Sequence, residues 1–309
     1  MQDILLSFGL IILCGVLFRR LRVGGLDPGS VRLAINSSVL NIFLPALCLI
    51  IIYRAKLDME LLLVPATAWI TLLSVLTLAI IVYSLIGRRA GLRDAEKGVL
   101  ILAAAFGNVT YLGLPVLMEL YGHEAAKYAL FYDLFASTPI VWLVGASLAS
   151  MYGEGKRFEF SSAARTIVSL PPIWGILAGM VLNLAAVPLP PFVARSLDML
   201  GSLVVPLMIF SIGLSLELPR VRHACVIVPA IVIKLAVSPF IAYTAADVLG
   251  LGGKALASCA IEGAMPAMVL SLIFAERFKL DIPLAAFVIL VTTMLSFFTL
   301  PAVFHIVAH

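Results

Sequence analysis

Polar and apolar positions in this chain alternate on the scale of whole bilayer crossings. Long apolar runs are separated by short polar connections from one end to the other. A hydrocarbon core needs about 20 apolar residues of helix to cross it. Ten runs approach or exceed that length, roughly 3 to 18, 33 to 53, 61 to 86, 97 to 119, 127 to 151, 167 to 187, 192 to 216, 224 to 247, 254 to 276 and 282 to 307. The pattern predicts an all-α membrane protein of ten transmembrane helices, here called spans 1 to 10. Two of them are flawed. Span 4 is interrupted by Phe106 to Val116 (FGNVTYLGLPV) and span 9 by Ile261 to Met268 (IEGAMPAM), where glycine, proline and polar residues replace Leu, Ile and Val. Irregular backbone at membrane depth persists only where protein packs on it or where it lines a wet cavity. Paired broken helices in corresponding positions of two halves point to the binding site of a secondary transporter.

The two halves match in layout. Asn108 and Met265 each lie eleven residues beyond a lysine, Lys97 and Lys254, that opens its span. At about 1.5 Å per residue both breaks fall roughly 16 Å into the bilayer. Pro45 in span 2 has a counterpart in Pro206 of span 7. Five spans per half is an odd number, so the second half runs in the opposite sense, as in an inverted repeat. The expected division is residues 1–151 as the first repeat, 152–166 as a polar cytoplasmic linker and 167–309 as the second repeat.

Composition agrees with this reading and removes soluble alternatives. Of 309 residues, 62% are hydrophobic and 12% charged, with a mean hydropathy of +1.14, far from a soluble domain. The first span lacks a basic leader and a small-residue cleavage site, so it reads as a retained helix. Cys14, Cys48, Cys225 and Cys259 sit in or beside apolar runs without close pairing, as small hydrophobes do. Fifteen of the 21 basic residues fall in alternate connections: Arg19, Arg20, Arg22, Arg32, Arg88, Arg89, Arg93, Lys97, Lys156, Arg157, Arg165, Arg220, Arg222, Arg277 and Lys279. The other connections hold only Arg54, Lys56, Lys127, Arg195 and Lys254. The positive-inside rule makes the first set cytoplasmic and puts both termini outside, periplasmic in a bacterial inner membrane. The basic residues are topology signals, and no nucleic-acid partner is expected.

The chemistry concentrates at the breaks. If half-helices restart there from opposite sides, their N–H groups and dipoles face one region, which suits a carboxylate or similar anion. Pro266 fits the first position of such a half-helix, where a missing N–H costs nothing. Asn108, Thr110 and Tyr111 add side-chain donors beside Val109 and Pro115, and Ala264 and Met265 line the second break with Pro266. Asn41, on the polar face of the kinked span 2, is a further candidate. Single prolines at 45, 139, 206 and 239 are most simply kinks, since proline is common in membrane helices. Asp133, Lys234 and Glu262 are ionisable groups inside spans, and such groups are expensive there and are functional candidates by default. Glu262 precedes the second break, where a carboxylate and freed carbonyls suit Na+, or where a desolvated carboxyl carries a proton. The bland alternative is a structural pair of Lys234 with Asp133 or Glu262.

At GNVTYLGLP, and again at AMPA, LNIFLPAL, KLAVSP and AERF, the chain resembles the auxin efflux carrier family in its compact bacterial form. That resemblance covers essentially the whole chain, and the glycine-asparagine to glycine-x-proline segment is its specific part. It implies ten helices in two inverted repeats, with helices 4 and 9 crossing at their breaks. It further implies a scaffold of helices 1, 2, 6 and 7 that often dimerises, and a moving transport domain of helices 3–5 and 8–10. Family substrates are organic anions, auxin and small carboxylates such as malate among them. Asn108, Pro115 and Pro266 match the crossover positions. The long cytoplasmic loop of plant members is absent, which argues against auxin itself. Glu262 is similar to the sodium-liganding acid of the related bile-acid sodium symporters, which favours Na+ coupling but implies no bulky steroid.

The expectation is a secondary transporter that moves a small mono- or dicarboxylate by alternating access, Na+-coupled, with proton-coupled or uncoupled efflux as the alternative. The partners are the anion, the lipid bilayer and a second copy of the chain, and no cofactor is expected, Na+ apart. A channel would need a continuous polar path that so few charges do not supply. An enzyme would need parts that are missing: there is no HExxH or GxSxG motif, and His123, His223, His305 and His309 are scattered. A receptor would need a signalling domain or partner surface, and the loops are too short for a domain.

Overall fold

The computed structural model describes residues 2–21, 23–153, 159–215 and 224–307. Arg22, Lys156, Arg157, Arg220, Arg222, His223 and His309, and part of the expected linker, lie outside them. The described residues are helical almost throughout and contain no strand beyond one isolated bridge. The helical runs are α1 (Gln2–Leu21), α2 (Pro28–Arg54), α3 (Glu60–Arg89), α4 (Asp94–Ala105), α5 (Val109–Tyr121), α6 (His123–Tyr152) and α7 (Phe160–Val168). They continue with α8 (Pro171–Leu184), α9 (Pro191–Ser215), α10 (Cys225–Val248), α11 (Gly253–Gly263), α12 (Leu270–Phe278) and α13 (Ile282–Val307). By length and composition α2, α3, α6, α9, α10 and α13 can each cross a membrane, and α7 with α8, bent by 48°, makes a seventh if the pair is one span. Spans 4 and 9 are each split into two pieces too short to cross alone, α4 with α5 and α11 with α12. The linker expected over 152–166 is helical from Phe160. Its apolar residues recur at helical spacing in FSSAARTIV, which a reading by polarity alone passes over.

Proline shapes the long helices in a regular way. A proline cannot donate to the carbonyl four residues back, and its ring clashes with that carbonyl. At Val39–Phe43, Val109–Gly113, Asp133–Ser137 and Ile233–Val237 the helix widens to i→i+5 bonding. In each case the proline is the second residue beyond the widened turn: Pro45, Pro115, Pro139 and Pro239. The helix absorbs each proline by one added residue instead of ending. A fifth wide turn, Val141–Gly145, has no such proline, and we have no physical account of it.

The chain forms two compact units. One comprises Met1–Asp58, Thr110–Leu130 and Val168–Leu216, and the other Met59–Val109, Phe131–Ile167 and Glu217–His309. In the first, α1 lies against the second half of α9, and a side chain on Gly15 or Gly213 would run into the opposing backbone. Small residues allow this approach, which gives membrane helices their dispersion contacts. Ser211 donates to Asn36 of α2 (2.6 Å). Arg54 makes a bidentate pair with Asp198 (2.7 and 2.8 Å). In the second unit α4 is buried continuously from Gly98 to Ala105. Tyr83 Oη donates to the Val226 carbonyl (3.0 Å) and accepts from the Ala230 N–H (2.9 Å), which fixes α3 to the start of α10. The Trp69 indole donates to the carbonyl of Phe135 (3.0 Å), the group that Pro139 cannot reach from four residues on.

Candidate functional site

The two breaks meet inside the second unit. α4 stops because Phe106 turns extended (φ −99°, ψ 121°), and α11 stops at Ala264. Between α11 and α12, residues 265–269 are not helical. Gly107 and Ala267 form an antiparallel bridge. On either side of it the Asn108 N–H donates to the Pro266 carbonyl (2.8 Å) and the Met268 N–H to the Phe106 carbonyl (3.0 Å). The Ala267 N–H is taken by Thr292 Oγ1 of α13 (3.1 Å). Irregular backbone in a buried place has thus been satisfied by its own counterpart, as a water-poor interior demands.

This geometry alters two sequence expectations. Pro266 is not the first residue of a half-helix, because α12 starts at Leu270; its role is to offer a carbonyl to Asn108. The backbone donors of Asn108, Ala267 and Met268 are occupied within the protein, so they do not face an open anion site. Asn108 itself is buried, 2% exposed.

Charge enters from α10. Lys234 is buried, on the wide turn made by Pro239, and its Nζ donates to the Gly263 carbonyl (3.0 Å) and to Ser238 Oγ (3.1 Å). Ser238 Oγ also donates to Gly263 O (2.8 Å). A cation at this C-terminal end of α11 is favoured by the helix dipole. The ammonium also borders the crossing, since a Cβ built on Gly107 would lie 3.1 Å from both Lys234 Cε and Nζ. The Gly263 carbonyl, one of those freed at the break, is therefore held by Lys234.

Glu262, one residue earlier, is buried, and neither carboxylate oxygen has a hydrogen-bond partner among the described residues. Ser258, one turn back on α11, and Ser137 on α6 also bury hydroxyls without one. Asp133 and Lys234 are the charges that act on Glu262. Of the structural pair considered from sequence, Lys234 bonds to Ser238 and Gly263 while acting on Glu262 through its charge, and Asp133 accepts from Thr138 Oγ1 (3.1 Å). Around Glu262 the neighbours are polar, with Tyr132 bonded to Thr71 and Cys259 to Thr67.

Of the other predicted residues, four belong to the first unit. Thr110 and Tyr111 are half-buried and Pro115 is buried on α5, while Asn41 is exposed on α2 with its amide donated to Ser37 O (2.8 Å). Val109, the last residue of the second unit in that stretch, is buried, as are Ala264 and Met265. Sequence reasoning missed Thr292, Ser238 and Ser258. Their signal was a hydroxyl in an otherwise apolar membrane helix, which is weak because such hydroxyls usually bond their own backbone.

The sequence model of the membrane transport protein family matches residues 5–304. The chain belongs to this family, that of the auxin efflux carriers. An uncharacterised transporter of Methanothermobacter thermautotrophicus is 30% identical over 303 residues, covering 97% of this chain and 96% of the relative. An uncharacterised transporter of Methanocaldococcus jannaschii is 32% identical over 214 residues, 66% of this chain and 67% of the relative. This is a transporter family and not an enzyme family, so the buried groups of this member are to be read for binding and movement.

Proposed function

We propose that this chain is a secondary transporter that carries a small organic anion, a mono- or dicarboxylate, by alternating access, with the anion held at the crossing of the two broken helices. The observation that carries the reading is Lys234: a buried ammonium beside Gly107, the residue before the buried Asn108. A fixed positive charge beside a buried amide in a dry interior attracts a carboxylate strongly. In this reading α4 with α5 and α11 with α12 are each one broken span, α1 is a further span, and ten spans form two inverted repeats of five. Spans 1, 2, 6 and 7 would form a scaffold and spans 3–5 and 8–10 a moving transport domain, an elevator-like arrangement. The basic-residue bias places both termini outside the cytoplasmic membrane, periplasmic in a bacterium. Asn108→Ala is expected to lose anion binding while keeping its apo melting temperature. Normal anion affinity in that variant, read as a ligand-induced shift in thermal stability, sinks the site.

Coupling to Na+ is supported by a different observation. Glu262 with two oxygens and Ser258 with one lie a turn apart on α11, all without hydrogen-bond partners among the described residues, and hard cations take oxygen ligands. Glu262 and Ser258 are the residues that would hold the ion, whose charge offsets that of the buried carboxylate. Uncoupled transport is the rival, and it is favoured by Lys234, a built-in cation already seated on the Gly263 carbonyl.

A further inference from the structure

In the first unit a cavity of about 400 Å³ is lined by Ile51, Arg54, Ala55, Lys56, His123, Glu124 and Lys127. The size is within the range of roughly 300–1,000 Å³ typical of small-molecule pockets. The connections that the basic-residue bias assigns to the outside hold only five cations, and three of them, Arg54, Lys56 and Lys127, line this one cavity although they are some 70 positions apart in the chain. Basic residues at helix ends commonly reach to the membrane surface singly; convergence on a concave site is a different pattern.

The backbone around the cavity is also arranged for an anion. The C-terminal end of α2 would present carbonyls there, the wrong sign for a negative ligand. The Asn183 side-chain amide from α8 donates to the carbonyls of Ile52 (3.1 Å), Tyr53 (2.7 Å) and Ala55 (2.8 Å), so these groups are covered. Opposite them, the 30-residue α6 begins at His123 and turns its positive end to the cavity. Arg54 is held in place by its bidentate pair with Asp198, which offsets its charge, so Lys56 and Lys127 carry the attraction for an anion. Glu124 is the single carboxylate in the lining among the described residues.

We infer that this cavity is a second anion site, a vestibule that binds carboxylate- or phosphate-class anions at the outer end of α2 and α6 before or after they occupy the crossing. The inference rests on the anion-transporter reading for its ligand class. The test uses the full-length protein in nanodiscs of neutral phosphatidylcholine, with succinate, benzoate and inorganic phosphate as probes and thermal stability as the readout. In the Asn108→Ala background at least one probe still stabilises the protein, the shift shrinks as salt rises, and adding Lys56→Ala with Lys127→Ala removes it. The paired change to arginine restores it. In transport, Lys56→Ala with Lys127→Ala raises KM about tenfold and leaves kcat unchanged, the signature of lost electrostatic recruitment. Phosphatidylglycerol nanodiscs separate the two sources of ligand: suppression of the residual shift identifies a lipid phosphate as occupant, and its persistence a soluble anion. The vestibule is overturned if the alanine pair leaves shifts and KM unchanged, or if no probe stabilises any form. Loss of all binding in Asn108→Ala with an unaffected alanine pair keeps the crossing and removes the vestibule; wild-type transport in Asn108→Ala with a defective alanine pair does the reverse.

Discussion

At the scale of single residues, the energetics turn on what each buried polar group touches. Glu262 is a carboxylate with no hydrogen bond, and a charge in that state is costly unless a cation joins it. Without Na+, Glu262→Gln is therefore expected to be at least as stable as the wild type. With Na+ at ten times its Kd the wild type gains about 1.4 kcal/mol and the variant gains nothing. Melting curves at fixed ionic strength, with K+ replacing Na+, decide the matter, and equal shifts in both proteins end the Na+ reading. Lys234 presents the converse case. Lys234→Met leaves the Gly263 carbonyl with Ser238 alone and is expected to lower stability by about 1–3 kcal/mol, as read by SDS-titration unfolding, and to abolish anion-dependent stabilisation. Retained anion binding in a folded Lys234→Met protein removes the ammonium from the site. The residue types at the site were legible in the sequence, because Asn108, Lys234 and Glu262 stand out against an apolar background. Their partners were not. Sequence suggested a pairing of Lys234 with a carboxylate, whereas its ammonium reaches a backbone carbonyl, and no spacing rule reports which oxygen a flexible side chain will find.

At the scale of elements, the breaks in spans 4 and 9 could be read because glycine, proline and asparagine interrupt a run that otherwise needs none. What could not be read is that the broken backbones satisfy one another through an antiparallel bridge. That depends on a contact between residues some 160 positions apart, and it changed the expected role of Pro266 from helix start to a carbonyl that accepts from Asn108. Prolines 45, 139 and 239 were expected to kink their helices, and each follows a widened turn, as Pro115 does. Such turns recur at functional positions, and here Asp133 and Lys234 lie in two of them. The Phe135 carbonyl shows how the freed groups are used, since Trp69 on α3 takes it. Trp69→Phe keeps the ring's apolar bulk and loses that donor, so a loss of about 1 kcal/mol is expected. In Trp69→Phe with Pro139→Ala the helix regains a donor of its own, and the penalty of the tryptophan change should shrink. Additive effects in that double-mutant cycle disconnect the two residues.

At the scale of the whole molecule, the question is whether residues at the crossing see both sides of the membrane in alternation. A chain with so few charges inside its spans can bury them only if the site is shut off from bulk water for most of the cycle, which a permanently open pore does not allow. Alternating access moves a site between two exposures, and a ligand that binds one of them better shifts the population toward it. Thr110, half-buried at the start of α5, is a position from which to follow this. Thr110→Cys, in a background with Cys14 and Cys225 replaced by serine, is expected to react with a membrane-impermeant thiol reagent from one side at a time. The accessible side should change, or the reaction slow several-fold, when a saturating anion biases the population. Simultaneous labelling from both sides at equal rates, unaffected by anion, is the result a channel requires. Saturable counterflow of labelled anion in proteoliposomes separates the same two mechanisms independently, because exchange without net current needs a site that carries its ligand back and forth, and a pore has none.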